Sequence, residues 1–235
     1  MTNRQSNIIF YSVIFLTISA LLIKFFIPSA FDGFTKSQEE RVIKEAVANQ
    51  EYNKAIASYK SLVGQHISDG DEYTIETADM YEEIARLYAL LGNTTLEQEH
   101  YLKSLAVKTQ LDKVDLYSFA NTYYQLGSIA QNEQKYDQAI NFFEKSLSTR
   151  LGDVEQPIVE DDGMFIGMQK SRIKYLKLNH EDTIATYKKL AAIHRLQQEY
   201  AIAKGYYEKA LAASKNTFGE EDVRTLKIVT LLKKM

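Results

Sequence analysis

The stretch QKYDQAINFFEKSL, Gln134 to Leu147, returns further along the chain as QEYAIAKGYYEKAL, Gln198 to Leu211. Six of the fourteen positions are identical, two exchange Phe for Tyr and one exchanges Ser for Ala. Tyr136, Ala139 and Phe143 stand three and four apart, so they share one face of a helix. Ala139 is small where a neighbouring helix must come close. Upstream, in TYYQLGSIAQNEQ, Tyr123, Leu126, Gly127 and Ala130 share a face in the same way. The spacing predicts two amphipathic helices meeting at a short turn near Asn132 to Lys135.

The pattern recurs along the chain. Tyr81, Ile84, Ala85 and Tyr88 precede a turn at Gly92, then Tyr101 and Ser104 follow. Tyr187, Leu190, Ala191 and His194 precede Tyr200, Ala203, Tyr207 and Ala210. A fainter copy runs through Val42, Ala46, Tyr52, Ala55 and Tyr59, and a half copy holds Val229 and Leu232. From Val42 to Ile84, Leu126, Leu190 and Leu232 the numbering advances by 42, 42, 64 and 42. A fixed period of this size marks an α-solenoid, in which one helix pair cannot bury its own apolar face and neighbours must stack to complete a core. Tyr123, Tyr136, Phe143, Tyr187, Tyr200 and Tyr207 are therefore read as packing residues.

These residues resemble the tetratricopeptide repeat (TPR), with its Leu-Gly, Tyr, Ala and aromatic positions at fixed offsets. The long period resembles the kinesin-light-chain type. NHEDTIATYKKLA looks like the helix entry of that type, with Glu181 in place of a Pro, and FGEEDVRTLKIV repeats it more loosely. Thr94 and Glu97 depart from the pattern in the second copy, and the first copy lacks its aromatic. The resemblance implies an all-α, right-handed solenoid. Its repeats would fall near 36–69, 78–111, 120–151 and 184–217, with a capping helix at 222–234. The long step places an insertion at 152–179. That insertion carries an acidic run, Glu160-Asp161-Asp162, and an apolar cluster, Met164, Phe165, Ile166 and Met168. The first is expected to be a solvated loop, the second to pack on the solenoid or meet a partner.

Residues 1–30 stand apart. Ile8 to Ile27 is a run of twenty residues with one charge, Lys24, and fourteen of them are Ile, Leu, Phe or Val. At ~1.5 Å per residue this reaches ~30 Å, the thickness of a bilayer core. The expectation is a single-pass membrane anchor with the repeats on the extracytoplasmic side; the alternatives are a cleaved signal segment and a cytoplasmic domain.

Net charge is −3, with 28 Lys and Arg against 31 Asp and Glu, so no basic excess points to nucleic acid. There is no cysteine, which excludes disulfides, thiol catalysis and Cys-zinc sites. His66, His100, His180 and His194 have no metal-ligand spacing, and no P-loop, HExxH or GxSxG occurs. No cofactor, metal or catalytic residue is expected, and His194 is read as a core or rim histidine.

In such solenoids the first helix of each pair lines a concave groove. Counting from the packing positions, its outward residues would be Asp79, Glu82, Glu83 and Arg86, then Asn121, Tyr124, Gln125, Ser128, Gln131 and Asn132, then Lys188, Lys189 and Arg195. Amide side chains both donate and accept, which suits an extended peptide backbone, and the basic end suits acidic side chains. The reading is a membrane-anchored scaffold or adaptor that binds a protein or peptide partner in its groove. One alternative is an assembly or quality-control factor holding client proteins. A second is an enzyme with the insertion as a lid.

Overall fold

A computed structural model describes residues 37–111, 116–152 and 180–235. The apolar run at 8–27 and the insertion residues 153–179 lie outside the described residues. Among the described residues every regular element is a helix, and no helix is long and apolar enough to cross a membrane. The chain divides into two units, one ending at Asp71 and one beginning at Glu72.

The first unit holds α1 (37–48) and α2 (Tyr52–Asp69). Their buried residues include Ile43, Ala46, Ala55, Ile56, Leu62 and Val63. α2 stops at Gly70, whose φ of 86° lies in the left-handed region open to glycine at no steric cost.

The second unit is built of hairpins. α3 (Ile75–Leu90) pairs with α4 (Thr94–Lys108), α5 (Leu116–Asn132) with α6 (Tyr136–Leu151), and α7 (Glu181–Leu196) with α8 (Tyr200–Phe218). Between hairpins, α4 packs on α5, α6 on α7, and α8 on α9 (Val223–Lys233). Several helix starts have a local cause. Thr74 Oγ1 accepts from the Thr77 N–H at 3.2 Å, Asn93 Oδ1 from Leu96 at 3.1 Å and Asp222 Oδ1 from Arg224 at 2.8 Å. Each of these satisfies a donor that has no partner inside its own helix.

The turns inside the hairpins share one mechanism, and α1–α2 of the first unit shows it too. Gln50, Gly92, Gln134 and Gln198 each hold a positive φ, between 60° and 70°. Their numbers advance by 42, 42 and 64, the same steps as the apolar pattern. The residue after each donates its N–H back across the turn: Glu51 to Ala46, Asn93 to Tyr88, Lys135 to Ala130 and Glu199 to His194, at 2.7–2.9 Å. A single left-handed residue closed by a backbone bond is a helix stop that almost any side chain outside it permits.

Small and large residues alternate at the seams, as the sequence leads one to expect. Ala85, Ala130, Ala139, Ala191, Ala203 and Ala210 are wholly buried, as are Ile84, Leu126, Phe143 and Leu190. Gly127 is a point of close approach: a Cβ there would lie 2.8 Å from Cδ1 of Phe143. One core cluster joins Ala85, Tyr101, Leu126 and Ile129 from α3, α4 and α5. The larger cluster runs from Ala130 on α5 to Ile228 on α9.

Two readings of the sequence need correction. Tyr200, placed among the packing residues, is 54% exposed, because it opens α8 where the hairpin turn leaves the core. Glu82, placed on the outward face of α3, is buried, and the reason is a lysine 26 residues away.

Candidate functional site

Three polar links join the first helices of successive hairpins. Thr122 on α5 donates to Glu82 on α3 at 2.5 Å, Lys189 on α7 donates to Gln131 on α5 at 3.0 Å, and Arg224 on α9 donates to Glu181 on α7 at 2.9 Å. Side-chain bonds thus link α3 to α5, α5 to α7 and α7 to α9, the first of them buried and the last at the surface.

The groove candidates lie on these linked helices. Asn121, Tyr124, Gln125, Ser128 and Gln131 on α5 are half-buried and Asn132 is exposed. Lys188 and Lys189 on α7 are half-buried and Arg195 is exposed. Tyr124 packs edge-on against Phe143, and burial pushes its hydroxyl pKa up. Burial lowers the Lys189 ammonium pKa, while Gln131 supplies its acceptor. The two adjacent lysines turn to different neighbours. Lys189 reaches α5, whereas Lys188 lines a cleft of about 230 Å³ with Glu181, Ile184, Phe218, Arg224 and Ile228. Asp79 and Arg86 on α3 are exposed and Glu83 is half-buried. His194 is buried, stacked 5.6 Å from Tyr206, with Nδ1 2.5 Å from Glu199 Oε2.

Two buried charged groups that the outward-face count did not find lie where the hairpins meet. Lys108, at the end of α4, has a side chain with 0% exposure. Its Nζ donates to Glu82 Oε1 at 2.6 Å, Ser118 Oγ at 2.8 Å and Thr122 Oγ1 at 2.9 Å. Ser104 adds a bond to the same carboxylate oxygen at 3.3 Å. All three ammonium protons therefore have acceptors, and α3, α4 and α5 are fastened at one point.

Arg150, at the end of α6, is the second. Its side chain is 4% exposed. Nη1 donates to Asp182 Oδ2 at 2.9 Å, and the guanidinium lies 4.7 Å from the Tyr117 ring centroid. The Tyr117 hydroxyl also bonds Asp182, and His180 caps α7 beside it. Burial pushes the Asp182 carboxyl up, but the Tyr117 hydroxyl and the Arg150 charge together hold it below the usual range. Burial, then the bond to Asp182, raises the Tyr117 hydroxyl. Nε and Nη2 of Arg150 are buried with no hydrogen-bond partner among the described residues. A buried unpaired donor costs about 1–3 kcal/mol, more on a charged group, so this edge stands out from the rest of the fold. Among the described residues no cluster of three His, Asp or Glu is placed to hold a metal ion.

Residues 120–151 and 183–223 match tetratricopeptide repeat family models, so the chain carries these repeats on α5–α6 and α7–α8. A TPR repeat-containing protein of Methanocaldococcus jannaschii is 22% identical over 192 residues, 77% of this chain. The chain spans 33% of the length of that curated relative. Among solved structures, the nearly identical TPR-like repeats described as kinesin light chain from Podosopora anserina superpose with a TM-score of 0.60. Identity is 15%, over 85% of this chain and 83% of that one. BtubC (BKLC) from P. vanneervenii superposes at 0.54 with 16% identity, over 83% of this chain and 66% of that one. The likeness is one of fold, and the tetratricopeptide repeat is in general a protein-binding fold.

Proposed function

We propose that this chain is a scaffold that binds an extended segment of a protein partner along α3, α5, α7 and α9, with a repeat period of 42. The observation that carries the reading is the row of half-buried polar residues on α5 and α7. Its amides at Asn121, Gln125 and Gln131 are held in place by half-burial and can both donate to and accept from a peptide backbone. Lys188 and Lys189 follow on the next helix, where they favour an acidic partner. The left-handed turn residues at Gln50, Gly92 and Gln134 support that period.

The test begins with crosslinking in intact cells to identify the partner. Changing Lys188→Glu together with Lys189→Glu should then weaken its binding at least tenfold, about 1.4 kcal/mol, with helicity nearly unchanged. The loss should shrink at high salt, which screens charge interactions near the surface. Undiminished binding by the double variant at low and high salt would move the interface off α7. Many weak captures in place of one stoichiometric partner would favour the client-holding alternative.

We further propose that residues 8–27 anchor the chain in a membrane, with the repeats on the extracytoplasmic side. The twenty-residue apolar run supports this. The full chain should stay with membranes through an alkaline wash. Release by that wash would refute the anchor.

A further inference from the structure

Glu83 on α3, Gln125 on α5 and Lys189 on α7 occupy one position of the repeat, 42 and 64 residues apart, and all three are half-buried. An anion, an amide and a cation thus succeed one another at a single place in three successive hairpins. The residues around them follow the same grade. α3 carries the carboxylates of Glu76, Asp79, Glu82 and Glu83 against Arg86 alone. α5 carries no charged residue. α7 carries Lys188, Lys189 and Arg195 against Glu181 and Asp182.

The pairing within each helix sharpens the grade. Arg86 is taken by Glu82 and Glu83, so Glu76 and Asp79 stand exposed with no ion pair among the described residues. On α7 the two carboxylates are taken by Arg224 and Arg150, while Lys188 and Arg195 make no ion pair among the described residues. Glu76, Asp79 and Glu83 stand three and four apart, on one side of α3, and Lys188 and Arg195 stand seven apart, on one side of α7. Burial, helped by the charges of Glu82 and Glu76, raises the Asp79 carboxyl pKa against the pull of Lys108 and Arg86. Burial lowers the Lys189 ammonium pKa. Both groups are pushed toward their neutral forms, as charges short of a counter-charge are. α3 and α7 thus call for opposite charges, and the amides of α5 call for neither.

We propose that the partner segment is itself graded in charge, with basic side chains against Glu76, Asp79 and Glu83 of α3, neutral residues against α5, and acidic side chains against Lys188 and Arg195 of α7. The proposal rests on the groove reading above and adds to it the basic half of the partner and the direction in which the segment lies. A segment laid the other way would set like charge against like on both helices, and such juxtaposition suppresses a wrong alignment.

The test uses the full chain labelled with ¹⁵N and two capped peptides of one composition, KKKGSGSEEE with its charges in blocks and KEGKESKEGS with them mixed. The centres of the two blocks can lie about 23 Å apart, at ~3.3 Å per residue, enough to cross two helices about 10 Å wide. The blocked peptide should bind saturably, and the mixed one more weakly by at least about fivefold. A nitroxide on the lysine end should broaden the backbone amides of α3, and one on the glutamate end those of α7. Glu76→Gln with Asp79→Asn should weaken the blocked peptide by at least about threefold and leave capped EEEEEE no weaker. Should that variant fail to fold, the nitroxide peptides on the unaltered chain still decide. Equal affinity for the two peptides would overturn the proposal, as would silence toward both, or broadening of the same helix from either end. Partner binding lost on the Lys188 and Lys189 changes but untouched by Glu76→Gln with Asp79→Asn would overturn the graded partner and leave the groove reading standing.

Discussion

Lys108→Met should destabilise the second unit by about 3–5 kcal/mol, the usual cost of removing one partner of a buried ion pair. The change leaves the Glu82 carboxylate, buried except for its bonds to Arg86, Ser104 and Thr122, without the ammonium 2.6 Å away. Most of that loss comes from the orphaned charge and little from the pair's own attraction. Adding Glu82→Leu should therefore recover a large part of it. Urea unfolding of the two single variants and the double gives the coupling directly, expected to be at least about 1 kcal/mol. Losses that simply add would mean that Lys108 and Glu82 do not act as a pair. Exposed pairs such as Lys103 with Glu99, about half exposed on each side, should contribute less than about 1 kcal/mol.

Phe143→Ala should cost a similar amount, about 3–5 kcal/mol. Phe143 is wholly buried between α5 and α6, faces Tyr124 at 5.5 Å between ring centroids, and fills the space that Gly127 leaves open. Gly127→Ala attacks the same contact from the other side. A Cβ there must displace a ring that has nowhere to go, and the gain of up to about 1 kcal/mol in helix propensity does not offset the overpacking. Both variants should melt earlier than the unaltered chain, Phe143→Ala by far the more. A Phe143→Ala protein with unchanged urea midpoint would place the core elsewhere than between these helices.

The helix pairs were legible because their apolar residues recur at three and four residues, a signal carried within each segment. The turns were only half legible. Gly92 announces a left-handed residue, but Gln50, Gln134 and Gln198 hold the same conformation with no such signal, since the closing bond runs between backbone atoms. Glu82 was misread for a related reason. Within its own helix it shares a face with Asp79, Glu83 and Arg86, and nothing local reveals that Lys108 and Thr122 arrive over it. The bridge from Lys189 to Gln131 spans 58 residues and is equally invisible to a local pattern. Arg150 could have been found, because a cation at the position of Lys108 in the next unit is plain once the repeat is aligned.

Modules that look alike can be stacked in the wrong order. An apolar seam of Ala against Tyr or Phe would accept nearly any neighbour of the same kind. The polar residue closing each hairpin does not. At Lys108 the next helix must bring acceptors, and α5 brings Ser118 and Thr122. Were α9 to settle against α4 in its place, the corresponding positions would bring Arg224 and Ile228, a second cation and a side chain with nothing to accept a proton. At the last hairpin the key changes again, to Ser214 with Thr225 at 2.8 Å. The polar partners thus differ from seam to seam, which favours each hairpin against the one that follows it in the chain over a look-alike from elsewhere.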